Sequence, residues 1–230
     1  MKTNTKKIYI IIPAYNEALV IKNTLKYLLA NNYKNILVID DGSVDNTYNE
    51  ATSLGVEVIQ HIINRGQGAS LRTGIEYVHE MYNPDIIVTF DSDGQHDPKD
   101  INNLIKPLLN NSTDIVLGSR FLNNTTKVPF IRKLILKAGI IFTNITSKIN
   151  LTDTHNGLRA LGKKAISSIK IAHRGMEHAS DIIDEIHKNK LQYTEVPVKI
   201  IYTNYSISKG QSSAGFIKMG IKIILHKILN

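Results

Sequence analysis

The chain has 230 residues, of which 42% are hydrophobic and 21% charged, enough apolar material for one large core and too much for global disorder. It contains no cysteine, which excludes disulfides, thiolate zinc sites and a Cys nucleophile. A formal net charge of +8 fits a merely basic solvated surface or one of three anionic partners: nucleic acid, a membrane surface or phosphorylated small molecules.

The N-terminus, MKTNTKKIYIIIPAYNE, is basic and then apolar. Its apolar run, residues 8–12, ends at Pro13 and is shorter than a signal-peptide core, so it reads as a buried first strand. No window reaches the ~18 uninterrupted apolar residues of a membrane span. Helical patterns at residues 18–30, 46–54, 68–81 and 98–110 then alternate with β-branched runs at 35–40, 56–61, 85–91 and 114–119. Strands of ~5 residues alternating with helices of ~10–15 predict βαβ units and a mostly parallel α/β sheet. Such sheets place ligands at the carboxyl ends of their strands. The polar clusters follow the strands: PAYNE, DDGS, NRGQG, DSDGQHD and GSRF, in that order.

Beyond residue 130 the alternation stops. Residues 130–149 read as a helix carrying Arg132, Lys133 and Lys137, and the turn-rich DTHNGLRALG follows. A helix is expected over 176–189, a strand over 194–201 and a last helix over 214–230. In that tail Lys218, Lys222 and His226 recur every four residues on an otherwise apolar surface. This suits either a core-packed helix or one lying on an anionic membrane or a membrane partner. Residues 1–212 are therefore expected to form one domain, and 213–230 a docking helix.

Asp91 and Asp93 stand two apart at a strand exit, where both carboxylates can converge on one hard cation shared with a phosphate. A calcium loop is ruled out, because its fifth, sixth and twelfth positions would be Gln95, His96 and Asn102. Asp97 is expected to cap the next helix, with Pro98 at its first position. Asp41, beside Gly42 and Ser43, could accept from a ribose hydroxyl or a base N–H, or simply belong to a turn. Asn64 to Gly68 opens a helix and suggests an anion cradle, but Leu71 stands where a dinucleotide fingerprint needs its third glycine. Arg120 and Arg159 each adjoin a flexible turn and could bind phosphate. The dispersed basic residues and the lack of any helix-turn-helix or zinc-finger pattern disfavour nucleic acid.

Taken in order, PAYNE, DDGS, NRGQGASLRTG, DSDGQHDP, GSRF, the D-x-x-x-G-x-R of Asp153 to Arg159 and EVPV followed by Y-x-x-Y-S-x-x-K-G resemble family 2 glycosyltransferases of GT-A fold. Within that family the chain is similar to the dolichol-phosphate mannose synthase and bacterial polyprenyl-phosphate sugar synthase group. The resemblance spans roughly residues 8–211. It implies Pro13, Tyr15, Glu17 and Asp41 around the nucleoside, with Gly68, Ser92 and Lys209 also on the nucleotide sugar. It implies Asp91, Asp93 and Gln95 on Mg²⁺ or Mn²⁺, and Arg120 and Arg159 near the donor or acceptor phosphates.

The implied reaction is inverting transfer of a hexose from a nucleotide sugar, UDP favoured over GDP, to a polyprenyl phosphate at the inner face of the plasma membrane. The tail would dock on the membrane or on a small integral membrane protein, and an oligomer is compatible with this. Two alternatives stay open. One is transfer to a hydroxyl of a growing polysaccharide, with Glu177 or Asp181 as base. The other is a non-catalytic nucleotide-sugar binding protein.

Overall fold

Side-chain alternation within the strands decides the layering. The structure, a computed structural model, describes residues 6–123, 126, 130–202 and 205. In β1 (Ile8–Ala14), Ile10 and Ile12 enter one apolar cluster and Ile11 the other. In β2 (Ile36–Asp40), Val38 divides from Leu37 and Ile39 in the same way. Successive strand residues point to opposite faces, so a sheet buried on both faces needs apolar residues at nearly every position, and these strands have them.

One face is covered by α1 (Ile21–Ala30) and α4 (Asp100–Leu109), through Leu25, Leu28, Leu104 and Leu108 among others. The other face is covered by α3 (Gln67–Tyr82) and α7 (His178–Lys188), through Leu71, Ile75, Val78, Ile182 and Ile186. A short α2 (Thr47–Thr52) joins β2 to β3 (Glu57–Gln60).

The remaining strands are β4 (Ile86–Thr89), β5 (Ile115–Ser119), β6 (Arg159–Gly162) and β7 (Tyr193–Pro197), and α5 (Phe130–Ser147) and α6 (Lys163–Ser168) flank β6 in sequence. All seven strands form one sheet in the order β3-β2-β1-β4-β6-β5-β7. Every neighbouring pair is parallel except those made by β6, which runs antiparallel to both β4 and β5. Chain order reverses between β1 and β4, and this is the crevice where open α/β sheets bind ligands.

Several boundaries differ from those expected. The first helix starts at Ile21 rather than 18, because the N–H groups of Val20 and Ile21 both bond the Glu17 carbonyl in a preceding turn. Asp97 does not cap α4. Its carboxylate accepts the Lys99 N–H at 2.9 Å and its carbonyl the Asp100 N–H at 3.0 Å, so Asp97 and Pro98 build a turn ahead of the helix. The strand expected over 194–201 ends at Pro197, after which Ile200 makes a single bridge to His96. Strand β6 lies where only a turn-rich stretch was expected, and helix α6 follows it where no element was expected. The expected boundary at 212/213, the helix over 214–230 and Lys209 lie outside the described residues.

Candidate active site

A cavity of about 400 Å³ opens at the carboxyl ends of β1 and β4. The segments that follow six strands, β1 to β5 and β7, converge on it, joined by the residues that lead into β6 and α7.

The first two connections are clasped together. Asn16, at a positive φ of 53°, reaches across to the second connection: its N–H donates to Ser43 Oγ at 2.9 Å and its Oδ1 accepts from the Val44 N–H at 2.9 Å. The Glu17 N–H donates to Thr47 Oγ1 at 2.7 Å, and the buried Glu17 carboxylate accepts from the Tyr205 hydroxyl at 2.7 Å. Pro13, Tyr15 and Glu17 thereby line one wall.

Asp41 also lines the cavity, yet both its oxygens are engaged. Oδ1 takes His61 Nδ1 at 2.7 Å and the Arg65 N–H at 3.0 Å, and Oδ2 takes the Gly66 N–H at 2.7 Å. The anion cradled by the glycine-rich loop is thus Asp41 itself. Gly68 does not line the cavity. A Cβ on it would overlap the His173 carbonyl and crowd His178 Cβ, so this glycine lets α3 pack against the segment before α7. From the same loop Asn64, Gly66, Gln67 and Ser70 reach the cavity.

Asp91, Ser92, Asp93 and Gln95 line the cavity as well. Asp91 is held from three sides. His96 Nε2 donates to its Oδ2 at 2.9 Å, Gln67 Nε2 donates to Oδ1 at 3.2 Å, and Gly157 presses so close that a Cβ there would overlap the carboxylate. Burial pushes the Asp91 carboxyl up, but the His96 bond and charge, with Arg159 nearby, outweigh it and leave it below the ordinary value. Asp93 goes the other way: burial, then the charge of Asp91, raise it to about 6. Two carboxylates with separated affinities for the proton share one cavity. His96, which the sequence left without a role, is buried with its edge against Phe90.

The two arginines prove unlike. Arg120 is committed: Nε donates to Asp153 at 2.6 Å, Nη2 to the His155 carbonyl at 3.2 Å and Nη1 to the Tyr202 hydroxyl at 3.4 Å. Arg159 opens β6 opposite Thr89. Because β6 is antiparallel to β4, its first residue lies beside the carboxyl end of β4. Like Arg120 it lines the cavity, but its buried Nη1 has no partner among the described residues. Burial lowers its pKa to about 10, against the pull of Asp91 and Asp153.

Two other cavity residues, Gly157 and His178, were given no role of their own in the sequence. Gly157 is fixed by its carbonyl, which accepts from Thr89 Oγ1 at 2.6 Å. His178 stands between Glu177 and Asp181, the two acids that attracted attention as a base, and neither of those lines the cavity. Asp181 is used up by the N–H groups of Ala172 and His173 and by His173 Nδ1. His178 Nδ1 donates to the Gly175 carbonyl at 2.9 Å, and burial, then Arg159, lower its pKa to about 4, so the ring is neutral. Helix phase would have found it, since His178 lies on the same face as the buried Ile182.

Among the described residues no three His, Cys, Asp or Glu side chains are grouped to enclose a metal, which excludes a cage built from those side chains alone. Two oxygen donors in one cavity, one of them raised by burial and then by the like charge of the other, fit a hard divalent ion that shares its remaining positions with a diphosphate.

Residues 9–169 match the model of the family described as glycosyl transferase family 2. The chain is 37% identical over 246 residues to the UDP-N-acetylglucosamine–dolichyl-phosphate N-acetylglucosaminyltransferase of Methanococcus voltae, covering 97% of this chain and 96% of that one. It is 29% identical over 214 residues to the undecaprenyl-phosphate mannosyltransferase of Micrococcus luteus, covering 88% and 87%. In fold it is similar to glucosyl-3-phosphoglycerate synthase of Mycobacterium tuberculosis, solved in complex with Mn²⁺ and uridine-diphosphate-glucose. That likeness has a TM-score of 0.73 at 18% identity and covers 97% of this chain and 79% of that one. The sheet is accordingly of the GT-A kind, and with most of its length matched by the family model this chain is a glycosyltransferase that belongs to glycosyl transferase family 2.

Proposed function

We propose that the protein transfers one sugar from a UDP-sugar to the phosphate of a polyprenyl phosphate, with inversion at the anomeric carbon. The observation that carries this reading is the cavity's charge arrangement: Asp91 and Asp93 within it, the buried and incompletely paired Arg159 beside them, and neither Glu177 nor Asp181 in place as a base. A sugar hydroxyl acceptor needs a base to take its proton. A lipid phosphate is already anionic near neutral pH and needs only positioning. Its oxygen would attack the anomeric carbon while the bond from that carbon to the diphosphate breaks, and the nucleoside diphosphate would leave with the electron pair.

In this reading Pro13, Tyr15, Glu17, Asp41 and Ser92 surround the nucleotide, Arg159 faces a phosphate, and Arg120 holds the loop that carries Asp153 and His155. Asp91, Asp93 and Gln95 would hold Mg²⁺ or Mn²⁺, which when bound offsets negative charge on the diphosphate. The two relatives named for polyprenol-type phosphates, which align over nearly the whole chain, support the acceptor class, and the first of them makes UDP-N-acetylglucosamine the first donor to test.

The test supplies the full chain and Mn²⁺ with labelled UDP-N-acetylglucosamine, UDP-glucose or GDP-mannose, and with either polyprenyl phosphate or an oligosaccharide. Label should become lipid-soluble with a UDP-sugar and the phosphate acceptor, and Asp93→Asn should abolish it. Label on the oligosaccharide alone, or full turnover by Asp93→Asn, would overturn the reading.

A further inference from the structure

Helix α5 has two apolar faces, and only one of them is buried. Leu136, Ile140, Thr143 and Ser147 turn inward, and Leu136 reaches the cavity. On the outer side Phe130, Leu134, Ile141 and Ile145 follow one another at spacings of four, seven and four, which aligns them along one stripe of the helix. Their exposures are 82%, 63%, 61% and 72%. Lys133 and Lys137 are exposed beside the stripe, and Lys148 is exposed just past its end.

Sequence charge sharpens the picture. Residues 121–150 contain Lys127, Arg132, Lys133, Lys137 and Lys148 and no acidic residue at all. An ordinary solvated helix face mixes both signs of charge and keeps isoleucine out of water. A lysine-flanked aliphatic stripe suits instead the boundary between lipid headgroups and acyl chains, with the lysine stems lying along the apolar surface and their heads on anionic groups.

We infer that the outer face of α5 docks on an anionic lipid bilayer and seats the cavity mouth beside the leaflet. The choice of lipid over a protein rests on the absence of acidic residues and, in part, on the proposed lipid phosphate acceptor. No helix among the described residues is long and apolar enough to cross a membrane, so α5 lies along the bilayer rather than through it.

The experiment is flotation of the full chain with protein-free, acceptor-free vesicles, either pure phosphatidylcholine or equimolar phosphatidylcholine and phosphatidylglycerol. Wild-type protein should bind the anionic vesicles and leave the neutral ones. Ile141→Ser with Ile145→Ser should weaken binding by roughly tenfold or more, as should Lys133→Glu with Lys137→Glu. Both double variants should keep wild-type turnover on a short-chain, water-soluble polyprenyl phosphate and lose it on the vesicle-embedded acceptor, which also shows that they fold.

Unchanged vesicle binding by both variants would overturn the inference, as would no binding by the wild type. So would a wild-type dimer that the isoleucine variant dissociates, since the face would then belong to a second copy. Vesicle binding that depends on α5, without transfer to any lipid phosphate, would instead sink the proposed reaction and leave the docking face standing.

Discussion

Asp91 and Arg159 show at the residue scale how much of a site lies in the neighbours of its charged groups. His96 touches Asp91 with one ring nitrogen, and its other, Nδ1, is buried without a partner among the described residues. The ring therefore acts through Asp91 by fixing the carboxylate's direction. Replacing it with alanine should weaken Mn²⁺ binding roughly 10–100-fold, the usual cost of losing a group that orients a metal ligand. Titration of Mn²⁺ in the absence of substrate reads this directly, and unaltered affinity would deny His96 the role.

Arg159 makes the opposite kind of prediction. A buried guanidinium with an unpaired Nη1 costs stability. Arg159→Met should leave the free energy of urea unfolding within about 1 kcal/mol of the parent or above it, while turnover falls on the order of 100-fold. A variant that unfolds but, when folded, turns over normally would reverse that assignment. Arg120→Met should instead destabilise, because it strands the buried Asp153.

At the scale of elements, two glycines separate structure from chemistry. A Cβ on Gly68 meets backbone, the His173 carbonyl, which cannot step aside cheaply. A Cβ on Gly157 meets the end of the Asp91 side chain, which can. Gly68→Ala is therefore expected to cost roughly 1–3 kcal/mol of stability, as overpacking does, whereas Gly157→Ala should melt close to the parent and lose most of its activity. Thermal melts paired with turnover assays distinguish the two, and the reverse pattern would refute the assignment.

The same scale explains what could be read from the sequence. Strands β1, β2, β4 and β5 announced themselves because both sheet faces are buried there, so they are nearly unbroken apolar runs with polar clusters at their exits, whereas the edge strand β3, EVIQ, showed only through its place between two helical patterns. Strand β6 did not, since four residues, RALG, between two antiparallel neighbours carry neither length nor alternation. With β6 unseen, Arg159 and Arg120 looked equivalent and Gly157 looked like a loop residue. Glu195, in the EVPV motif, takes the N–H groups of Thr152 and Asp153. That role belongs to the tertiary fold and has no local signature.

For the whole molecule, acid is the expected weak point. His155 and His178 flank the cavity from the approach to β6 and the start of α7, and burial, the largest influence on each, lowers both rings to about 4. Arg120 and Arg159 add to this at His155, and Arg159 at His178. Unfolded, each would titrate near 6.5. Between those values the unfolded chain binds more protons than the folded one, so stability rises with pH through the window and is lost as pH falls through it. On going from about pH 7 to about pH 5 each ring should cost about 2 kcal/mol. Asp93, Asp100 and Glu195, whose carboxyls burial raises, act in the opposite direction, so the parent's net loss is smaller than the sum for the two rings. Comparing the parent with His155→Gln and His178→Gln isolates each ring, because glutamine does not titrate. Urea unfolding at the two pH values should show each variant less acid-sensitive than the parent by about 2 kcal/mol. Equal acid sensitivity in all three proteins would mean that these rings are solvated or protonated in the native state, and that the cavity wall they form is looser than the structure shows.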